Sequence, residues 1–456
     1  MNFQLTKEFL ETIKVHIDSK DNQSIEKLCK NLLPPDIAEI LKSIHFQDAK
    51  YLIDIFDEEF AADVLIELEE ELRERLLENL SSKEIAEDVV DNLDSDDAAD
   101  VIQELSKEQQ KEVLSNIADP QQAIDLVDLL SYPNNSAGAL MGKELIKVNE
   151  NWTVLRCVSE MRKQAKNINK VYTIYVINNN NQLTGTVSLK RLLITEEKTL
   201  MRDVFNNQVI SVNGKTTAEE VSRIMNKYDL IVLPVINKKS ELIGRITIDD
   251  VIDFIKEEAE KDYQMASGII ENIDAVDSVF TLTKARIPWL IIGMIGGLLG
   301  AVVIGLFPII KANYELAFFI PLIAAMGGNV GVQSSAIMVQ SLASNQLQID
   351  NWYKRFLKEF SVSLINGLIC CILVFIICYF FYESKDNMME LNLSVCISLL
   401  TVMVFAGLFG TFVPLILNKY KIDPALATGP FITTMNDVIG LFIYFKIAQL
   451  ILTPTL

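Results

Sequence analysis

The stretch GPFITTMNDVIGLFIYF, residues 429–445, decides how the second half of this 456-residue chain is interpreted. It has the composition of a membrane span, and Asp437 is its only charged residue. A carboxylate at the centre of a bilayer costs at least ~2.5 kcal/mol unless a cation or a water-filled cavity meets it. The stretch therefore predicts a membrane domain in which Asp437 has a functional partner.

Five apolar windows in the last 172 residues, 285–456, are long enough to cross a membrane. A hydrocarbon core of ~30 Å needs a helix of about 20 residues. The windows lie at about 287–310, 317–343, 360–382, 391–418 and 425–454. We therefore expect an α-helical membrane domain with five transmembrane helices and with its two ends on opposite sides.

The basic residues of the short loops predict the orientation, because Lys and Arg concentrate on the cytoplasmic side. One side holds Lys284, Arg286, Lys354, Arg355, Lys358, Lys419 and Lys421, and the other holds Lys311 and Lys385. The opening MNFQLTKEFLETIK lacks the apolar core of a signal peptide. We expect a multi-pass protein of the cytoplasmic membrane, in contact with lipid, with the N-terminus in the cytosol and the C-terminus outside.

The net charge of −20 lies entirely in residues 1–286, because residues 287–456 contain eight acidic and eight basic side chains. An acidic surface repels nucleic acid and attracts metal cations, although a solvated surface gives the same composition. We expect no nucleic-acid partner. The six cysteines have no paired metal-ligand spacing and are interpreted as reduced packing residues.

A four-residue pattern recurs within residues 1–132, as AEIL at 38, ADVL at 62, AEDV at 86 and ADVI at 99. These intervals predict short helices that stack on their neighbours to bury an apolar face. We expect an acidic, all-α superhelical N-domain, which serves as a scaffold or as a regulator.

A second repeat lies within residues 133–255, in segments at about 138–197 and 198–255. At an offset of 59 residues, Val176 aligns with Val235 and Gly185 with Gly244. Each copy reads as strand, polar turn, strand and helix, with Asp249 or Asp250 expected as the second helix's N-cap. The repeat resembles a tandem pair of CBS domains, which implies an α/β fold and makes ATP a candidate ligand.

Residues 256–284 are predicted to form a long connecting helix with a break near Gly268. Like charges one turn apart destabilise a helix unless cations or basic partners neutralise them. The acidic residues of its first turns are Asp250, Asp253, Glu257, Glu258, Glu260 and Asp262. Metal sensing and a solvated linker are the two interpretations.

Two spans carry polar residues at helical spacing. Asn329, Gln333, Ala336 and Gln340 share one face of the second span, and Thr433, Asp437, Gly440 and Tyr444 share one face of the fifth. Polar and small residues can also join helices without conducting anything. Because Asp437 lies on one of these faces, we favour a hydrated path between them.

The side chains available to that path suit a hard cation. The only histidines, His16 and His45, lie outside the spans, which disfavours a soft-metal site. Mg²⁺ sheds water reluctantly and is usually held by one or two carboxylates. A single Asp per chain supplies too little negative charge for a dication, so we expect a homodimer in which two copies of Asp437 share the pore.

Several motifs together resemble the MgtE family of magnesium channels. They are PLIAAMGGNVGVQSS in span two, KIDPALATGPFITTMNDVIG before and within span five, and ITIDDVIDFIKEEAEKD at the end of the CBS pair. The resemblance covers essentially the whole chain. It implies a homodimeric pore, regulatory Mg²⁺ ions in the N-domain and CBS domains, and a connecting plug helix that closes the pore.

The resemblance also implies roles for individual residues. Those expected at the pore are Asp437, Thr433, Gly429, Asn436, Asn329 and Gln333. Those expected to bind regulatory Mg²⁺ are Asp423, Asp229, Asp249, Asp250, Asp253, Glu258, Asp262, Asp97 and Asp100. The chain departs from the family pattern at Lys261 and Val332, which bear on the number of regulatory ions and on the outer vestibule.

We therefore expect a Mg²⁺-selective uptake channel that high cytosolic Mg²⁺ closes. One alternative is a less selective channel that also passes Mn²⁺, Co²⁺ or Ca²⁺. Another is a membrane sensor of nucleotide or Mg²⁺ that transports nothing. An enzyme is not expected, since the sequence has no nucleophile and base pair, P-loop or metal-hydrolase motif.

Overall fold

The computed structural model describes residues 3–168, 170–269, 273, 278–343, 352–381, 388–427 and 429–452. The chain forms two compact units, Met1–Ile255 and Lys256–Leu456. Its multidomain architecture combines a helical N-domain, an α/β CBS pair, a connecting helix and a helical membrane domain, as the sequence predicted.

Short helices around a shared apolar core form the N-domain. The recurring four-residue pattern supplies that core: Ala38, Ile40 and Leu41 are buried, as are Val64 and Leu65 one repeat later. The helices are α1 Lys7–Asp18, α2 Asn22–Cys29, α3 Pro34–Lys42, α4 Phe46–Ile53, α5 Glu58–Ile66, α6 Glu70–Leu77, α7 Ser82–Glu84, α8 Ser95–Glu104, α9 Lys107–Asn116 and α10 Pro120–Leu129. A π turn, Ile85–Val89, and a 3-10 turn, Val90–Asn92, connect α7 to α8.

Each CBS repeat contributes one three-stranded sheet with helices against it. The predicted offset is confirmed, since Val176 pairs with Gly185 in the first sheet and Val235 pairs with Gly244 in the second. The elements are β1 Ile146–Asn149, α11 Val154–Gln164, β2 Ile174–Ile177, β3 Leu183–Val187, α12 Leu189–Ile194, β4 Val212–Asn213, α13 Ala218–Lys227, β5 Val232–Ile236 and β6 Leu242–Thr247.

The connecting helix, α14 Ile248–Ala266, begins two residues earlier than an N-cap at Asp249 would allow. Asp250 lies inside the helix, where its carboxylate accepts from the backbone N–H and the hydroxyl of Thr247. The predicted N-cap was therefore wrong, because Asp250 caps by reaching back from the first turn. The helix ends before Gly268, whose φ of +81° favours glycine.

Five helices of the second unit are long and apolar enough to span a membrane, as predicted. They are α15 Val279–Leu306, α17 Leu316–Ala343, α18 Trp352–Phe381, α19 Met388–Lys419 and α20 Pro430–Leu452, and the short α16 Ile309–Ala312 follows the first. At 1.5 Å per residue, the 32 residues of α19 extend for ~48 Å, so the helices run beyond the apolar windows. Helices α17, α19 and α20 pack on one another, while α15 packs on α20 and α18 on α19.

Candidate ion path and regulatory acidic sites

A cavity of about 430 Å³ lies between α17 and α20. Asp437 supplies the carboxylate of this cavity, and Asn329, Gln333 and Thr433 supply amides and a hydroxyl. Its lining is completed by Ala324, Ala325, Gly328 and Val332. The structure thus brings together four of the six residues predicted at the pore, along with Val332.

Glycines on α17 determine how closely α20 approaches. A Cβ on Gly328 would lie 3.2 Å from Thr433 Cγ2 and 3.8 Å from Asp437 Oδ1. A Cβ on Gly331 would meet the side chain of Asn436 and Ile432 Cγ2, the latter at 2.8 Å. The bare helix face therefore leaves room for the Asp437 carboxylate to reach the cavity.

The polar groups that line the cavity are a carboxylate, amides and a hydroxyl, and their oxygen atoms suit a hydrated dication. Six waters at ~30 Å³ each occupy ~180 Å³, so the cavity has room for an ion with a full water shell. The site can hold Mg²⁺ through its water ligands, with the carboxylate supplying the negative charge.

Other residues that were predicted at the pore or on the two polar faces lie outside the cavity lining. Asn436 is 1% exposed, and both of its side-chain polar atoms lack a hydrogen-bond partner among the described residues. Tyr444 is buried and donates its hydroxyl to Leu316 O at 2.9 Å, and Gly440 packs against Val402. Gly440 and Tyr444 therefore belong to the helical core, and Gln340 is exposed outside the cavity lining.

The end of α14 packs on the start of α20. A Cβ on Gly429 would clash with Ala266 O, and one on Gly268 would lie 2.7 Å from Pro430 Cγ. Gly429 has a φ of +56°, and its carbonyl accepts from the N–H and the hydroxyl of Thr433, each at 3.0 Å. Gly429 thus joins the connecting helix to a residue that lines the cavity.

Acidic residues near this junction are partly neutralised by Lys261, one of the two departures from the family pattern. Its ammonium lies 3.1 Å from Glu258 Oε1. The hydrogen bond to Glu258 and the charges of Asp423 and Asp262 raise the pKa of Lys261. Asp423 itself accepts from Ala425 N at 2.8 Å, at the start of a 3-10 turn.

In the first unit, three carboxylates meet where α8 faces the start of the CBS pair. One oxygen each from Asp94, Asp96 and Glu144 lies within 4.8 Å of the other two. Glu144 accepts from the backbone N–H and the hydroxyl of Ser95, each at 3.0 Å, so it caps α8. Burial, with the charges of Asp250 and Asp97, holds the pKa of Asp96 well above its ordinary value.

Asp97 and Asp250, both predicted as regulatory ligands, are neighbours in the first unit. Burial and the charge of Asp250 raise the pKa of Asp97 to about 7. Burial also raises the pKa of Asp250, against its hydrogen bonds to Thr247. A similar relation links Asp253 to Glu67, whose pKa is raised by burial and then by the charge of Asp253. Carboxylates this close disfavour one another's charged form.

Sequence reasoning missed several members of this group: Asp94, Asp96, Glu144 and Glu67. Asp94 and Asp96 lie beside the predicted Asp97, so local charge density could have identified them. Glu144 is distant in sequence, with no comparable signal. Two predicted residues, Asp100 and Asp249, are exposed. The charge of Asp100 raises the pKa of Asp97, and that of Asp249 raises the pKa of Asp250. Asp229 is exposed at a turn, with a φ of +52°.

Family models match three parts of the chain. Residues 320–447 match a divalent cation transporter family, MgtE. Residues 32–135 match the MgtE intracellular N domain, and residues 137–196 and 201–257 each match a CBS domain.

Two named relatives match most of the chain. The chain is 32% identical over 321 residues to the magnesium transporter MgtE of Bacillus subtilis, covering 70% of each chain. It is 32% identical over 331 residues to that of Thermus thermophilus, covering 71% of this chain and 72% of the relative. Among solved structures, the soluble part of a magnesium transporter matches at 27% identity with a TM-score of 0.50, covering 56% of this chain and 99% of that one. The cytosolic domain of the Mg²⁺ channel MgtE in complex with ATP matches with the same identity and TM-score, over 54% and 99%.

Proposed function

Because this chain belongs to the MgtE family of magnesium transporters, we propose that it is a Mg²⁺-selective channel for magnesium uptake across the cytoplasmic membrane. The observation that carries the proposal is the cavity in which Asp437 faces Asn329, Gln333 and Thr433. A half-buried carboxylate beside amides, in a space large enough for a hydrated ion, attracts Mg²⁺ without stripping its water.

The channel is proposed to work as a homodimer. One carboxylate per chain neutralises half the charge of Mg²⁺, whereas a twofold axis beside the cavity would supply two. The ion would enter down its electrochemical gradient, with the chain's N-terminus and CBS pair in the cytosol.

Closure is proposed to follow from cytosolic Mg²⁺ bridging the acidic groups of the first unit and the connecting helix. Without the ion, the carboxylates of Asp96, Asp97 and Asp250 are proposed to repel one another, which is supported by pKa values that burial and then neighbouring negative charges raise. With the ion, the same groups favour the compact state through differential binding. The packing of Ala266 and Gly268 on Gly429 and Pro430 supports a route from the connecting helix to the cavity.

The test of conduction is Mg²⁺ flux into liposomes that contain a fluorescent Mg²⁺ indicator and start near zero internal Mg²⁺. Asp437→Asn keeps the shape of the side chain and should reduce the flux at least tenfold. Glu390→Gln is the matched control, because it removes an exposed carboxylate from α19 outside the cavity. Equal flux from the wild type and Asp437→Asn would place the permeation path elsewhere, and no flux from a folded wild type would favour a sensor.

The same assay separates a selective channel from a less selective one. Competing Mn²⁺, Co²⁺ and Ca²⁺ are added outside at equal concentration. A Mg²⁺-selective path loses little Mg²⁺ flux to any of them, whereas comparable inhibition by all three would indicate a general divalent channel.

A nucleotide site in the CBS pair is a second candidate function. Arg245 Nη1 and the hydroxyl of Tyr175 are buried without hydrogen-bond partners among the described residues, and Tyr172 lies over the Arg245 guanidinium. All three line one cleft with Thr173 and Lys170. The cleft has a volume of about 10 Å³, about the size of one water, so ATP binding requires it to open. The free Nη1 of Arg245 and the ring of Tyr172 are then the groups proposed to meet the phosphates and the base of ATP, which a similar solved structure holds. Tyr175→Phe removes only the unpartnered hydroxyl, so it should weaken ATP binding in calorimetry without lowering the melting temperature.

A further inference from the structure

A second pocket in the first unit has the opposite electrostatic character to the acidic sites. Its volume is about 250 Å³, and its lining residues are Tyr132, Asn213, Gly214, Lys215, Asn237, Lys238, Lys239 and Ile243. Among the described residues, none of the three lysines has a carboxylate oxygen within 4.0 Å. In a chain of net charge −20, three unpaired lysines around one concavity need an explanation beyond a solvated surface.

The first CBS repeat shows that the fold does not require two of these lysines. In the turn between β5 and β6, Asn237 Oδ1 accepts from Lys239 N at 2.8 Å and from Glu241 N at 3.0 Å. In the equivalent turn of the first repeat, Asn178 Oδ1 accepts from Asn180 N at 2.8 Å and from Gln182 N at 3.1 Å. The turns are alike, yet the first repeat has asparagines where the second has Lys238 and Lys239.

The loop after β4 shows the same contrast. Asn213 Oδ1 accepts from Lys215 N at 3.1 Å, and Asn149 Oδ1 accepts from Asn151 N at 3.0 Å after β1. Lys215 thus stands where the first repeat has an asparagine. Gly214 stands where the first repeat has Glu150, so one acidic group is absent from the second repeat.

The shape of the pocket depends on the N-domain as well. A Cβ on Gly214 would lie 2.8 Å from the ring of Tyr132, so the glycine lets that ring form one wall. The neighbouring carboxylates already have partners: Asp128 accepts from Lys143 Nζ at 2.6 Å, and Glu241 accepts from Asn237 Nδ2 at 2.6 Å. The three lysines are therefore the charges left to meet a ligand.

We propose that this pocket binds a phosphate-bearing anion. Three ammonium groups offer nine N–H donors, and charge-assisted hydrogen bonds to phosphate oxygens are the strongest that lysine makes. The volume equals that of about eight waters at ~30 Å³ each, which suits an anion with several oxygens. None of its lining residues belongs to the Arg245 cleft, so the two sites are separate.

The experiment is calorimetric titration of the full-length protein in detergent, free of Mg²⁺, with tripolyphosphate as the probe. The variant Lys215→Asn/Lys238→Asn/Lys239→Asn installs the residues that the first repeat carries. The control, Lys27→Asn/Lys111→Asn/Lys198→Asn, makes the same change in charge at exposed lysines outside the pocket. The wild type and the control should bind with equal affinity, and the pocket variant should bind about tenfold or more weakly.

Unchanged binding by the pocket variant, equal weakening of both triple variants, or no binding by the wild type would each overturn the proposal. Melting temperatures establish that the variants fold, and Lys238→Asn alone, at an exposed turn position, gives a second and milder test in the same direction. Competition with ATP identifies the source of the phosphate. If ATP and tripolyphosphate bind with equal affinity, the pocket recognises the phosphate chain. If ATP binds more tightly than tripolyphosphate and the pocket variant loses this binding, the ligand is a nucleoside triphosphate.

Discussion

Gly429 is under two constraints that only a glycine satisfies. Its φ of +56° disfavours any side chain, and a Cβ there would clash with Ala266 O. Gly429→Ala should therefore lower the free energy of unfolding by at least ~2 kcal/mol or detach the end of α14 from α20. Thermal unfolding of the detergent-solubilised protein measures the first effect, and proteolysis of the connecting helix measures the second.

Gly297→Ala is the control, because a Cβ at that position on α15 has no atom within 4 Å. It should leave both measurements unchanged or raise the stability slightly, since alanine favours a helix over glycine. If Gly429→Ala melts like this control, the close approach of α14 to α20 is not a feature of the protein in solution.

Asp97 gives the first unit a pH dependence whose sign follows from its raised pKa. The folded-state pKa of about 7 lies above the ordinary value of 3.8, so ionisation costs stability as the pH rises from about 4 to about 7. In chelator, the full-length protein should be less stable at pH 8 than at pH 5. Asp97→Asn should remove roughly 2–4 kcal/mol of that difference. A melting temperature for Asp97→Asn that falls as steeply as the wild type's across this range would contradict the assignment.

Two neighbouring residues show what periodicity can and cannot predict. Successive helical positions lie about 100° apart, so Asp437 can face the cavity only if Asn436 faces another helix. Helical spacing predicted that Asp437 and Thr433 share a face of α20 and that this face meets the face of α17 that carries Gln333. The structure brings these three side chains to one cavity. It could not place Glu144 beside Asp96, because that contact depends on how α8 packs against the CBS pair.

At the scale of a helix, two glutamines of α17 provide a test of the proposed ion path and its control. Gln333 lines the cavity, whereas Gln340, two turns further along, does not. Gln333→Leu should reduce Mg²⁺ flux about tenfold by removing an amide that can bind the ion's water shell, and Gln340→Leu should not. If both variants conduct alike, the amides on α17 join helices and do not line the path.

The CBS repeats show where element-level prediction succeeds. An offset of 59 residues predicted two equivalent strand pairs, and both registers place a valine opposite a glycine. Prediction was less accurate for the ends of helices, because α14 begins at Ile248 and α15 at Val279. Those ends depend on capping side chains such as Thr247 with Asp250, and Ser278, rather than on apolar periodicity.

Across the whole molecule, the negative charge lies in the first unit and the connecting helix, and the proposed path lies in the membrane helices. If Mg²⁺ bound to the acidic groups closes the path, then weakening that binding must leave an open channel at high internal Mg²⁺. Asp96→Asn/Glu144→Gln removes two of the three clustered carboxylates and keeps their shape. This variant should conduct like the wild type when internal Mg²⁺ is near zero.

With internal Mg²⁺ at saturating concentration, the flux through the wild type should fall about fivefold or more, and the flux through the variant should change little. This magnitude is expected because coupling between two sites typically changes an equilibrium about 5–150-fold. Glu26→Gln/Glu108→Gln is the matched control, since it removes two exposed carboxylates of the N-domain away from the cluster. The control should close like the wild type, because the proposal assigns closure to carboxylates held together and not to total charge. Closure of the Asp96→Asn/Glu144→Gln variant at the same Mg²⁺ concentration as the wild type would exclude this cluster from gating. The next acidic contacts of the first unit to test would then be Asp97 with Asp250 and Glu67 with Asp253.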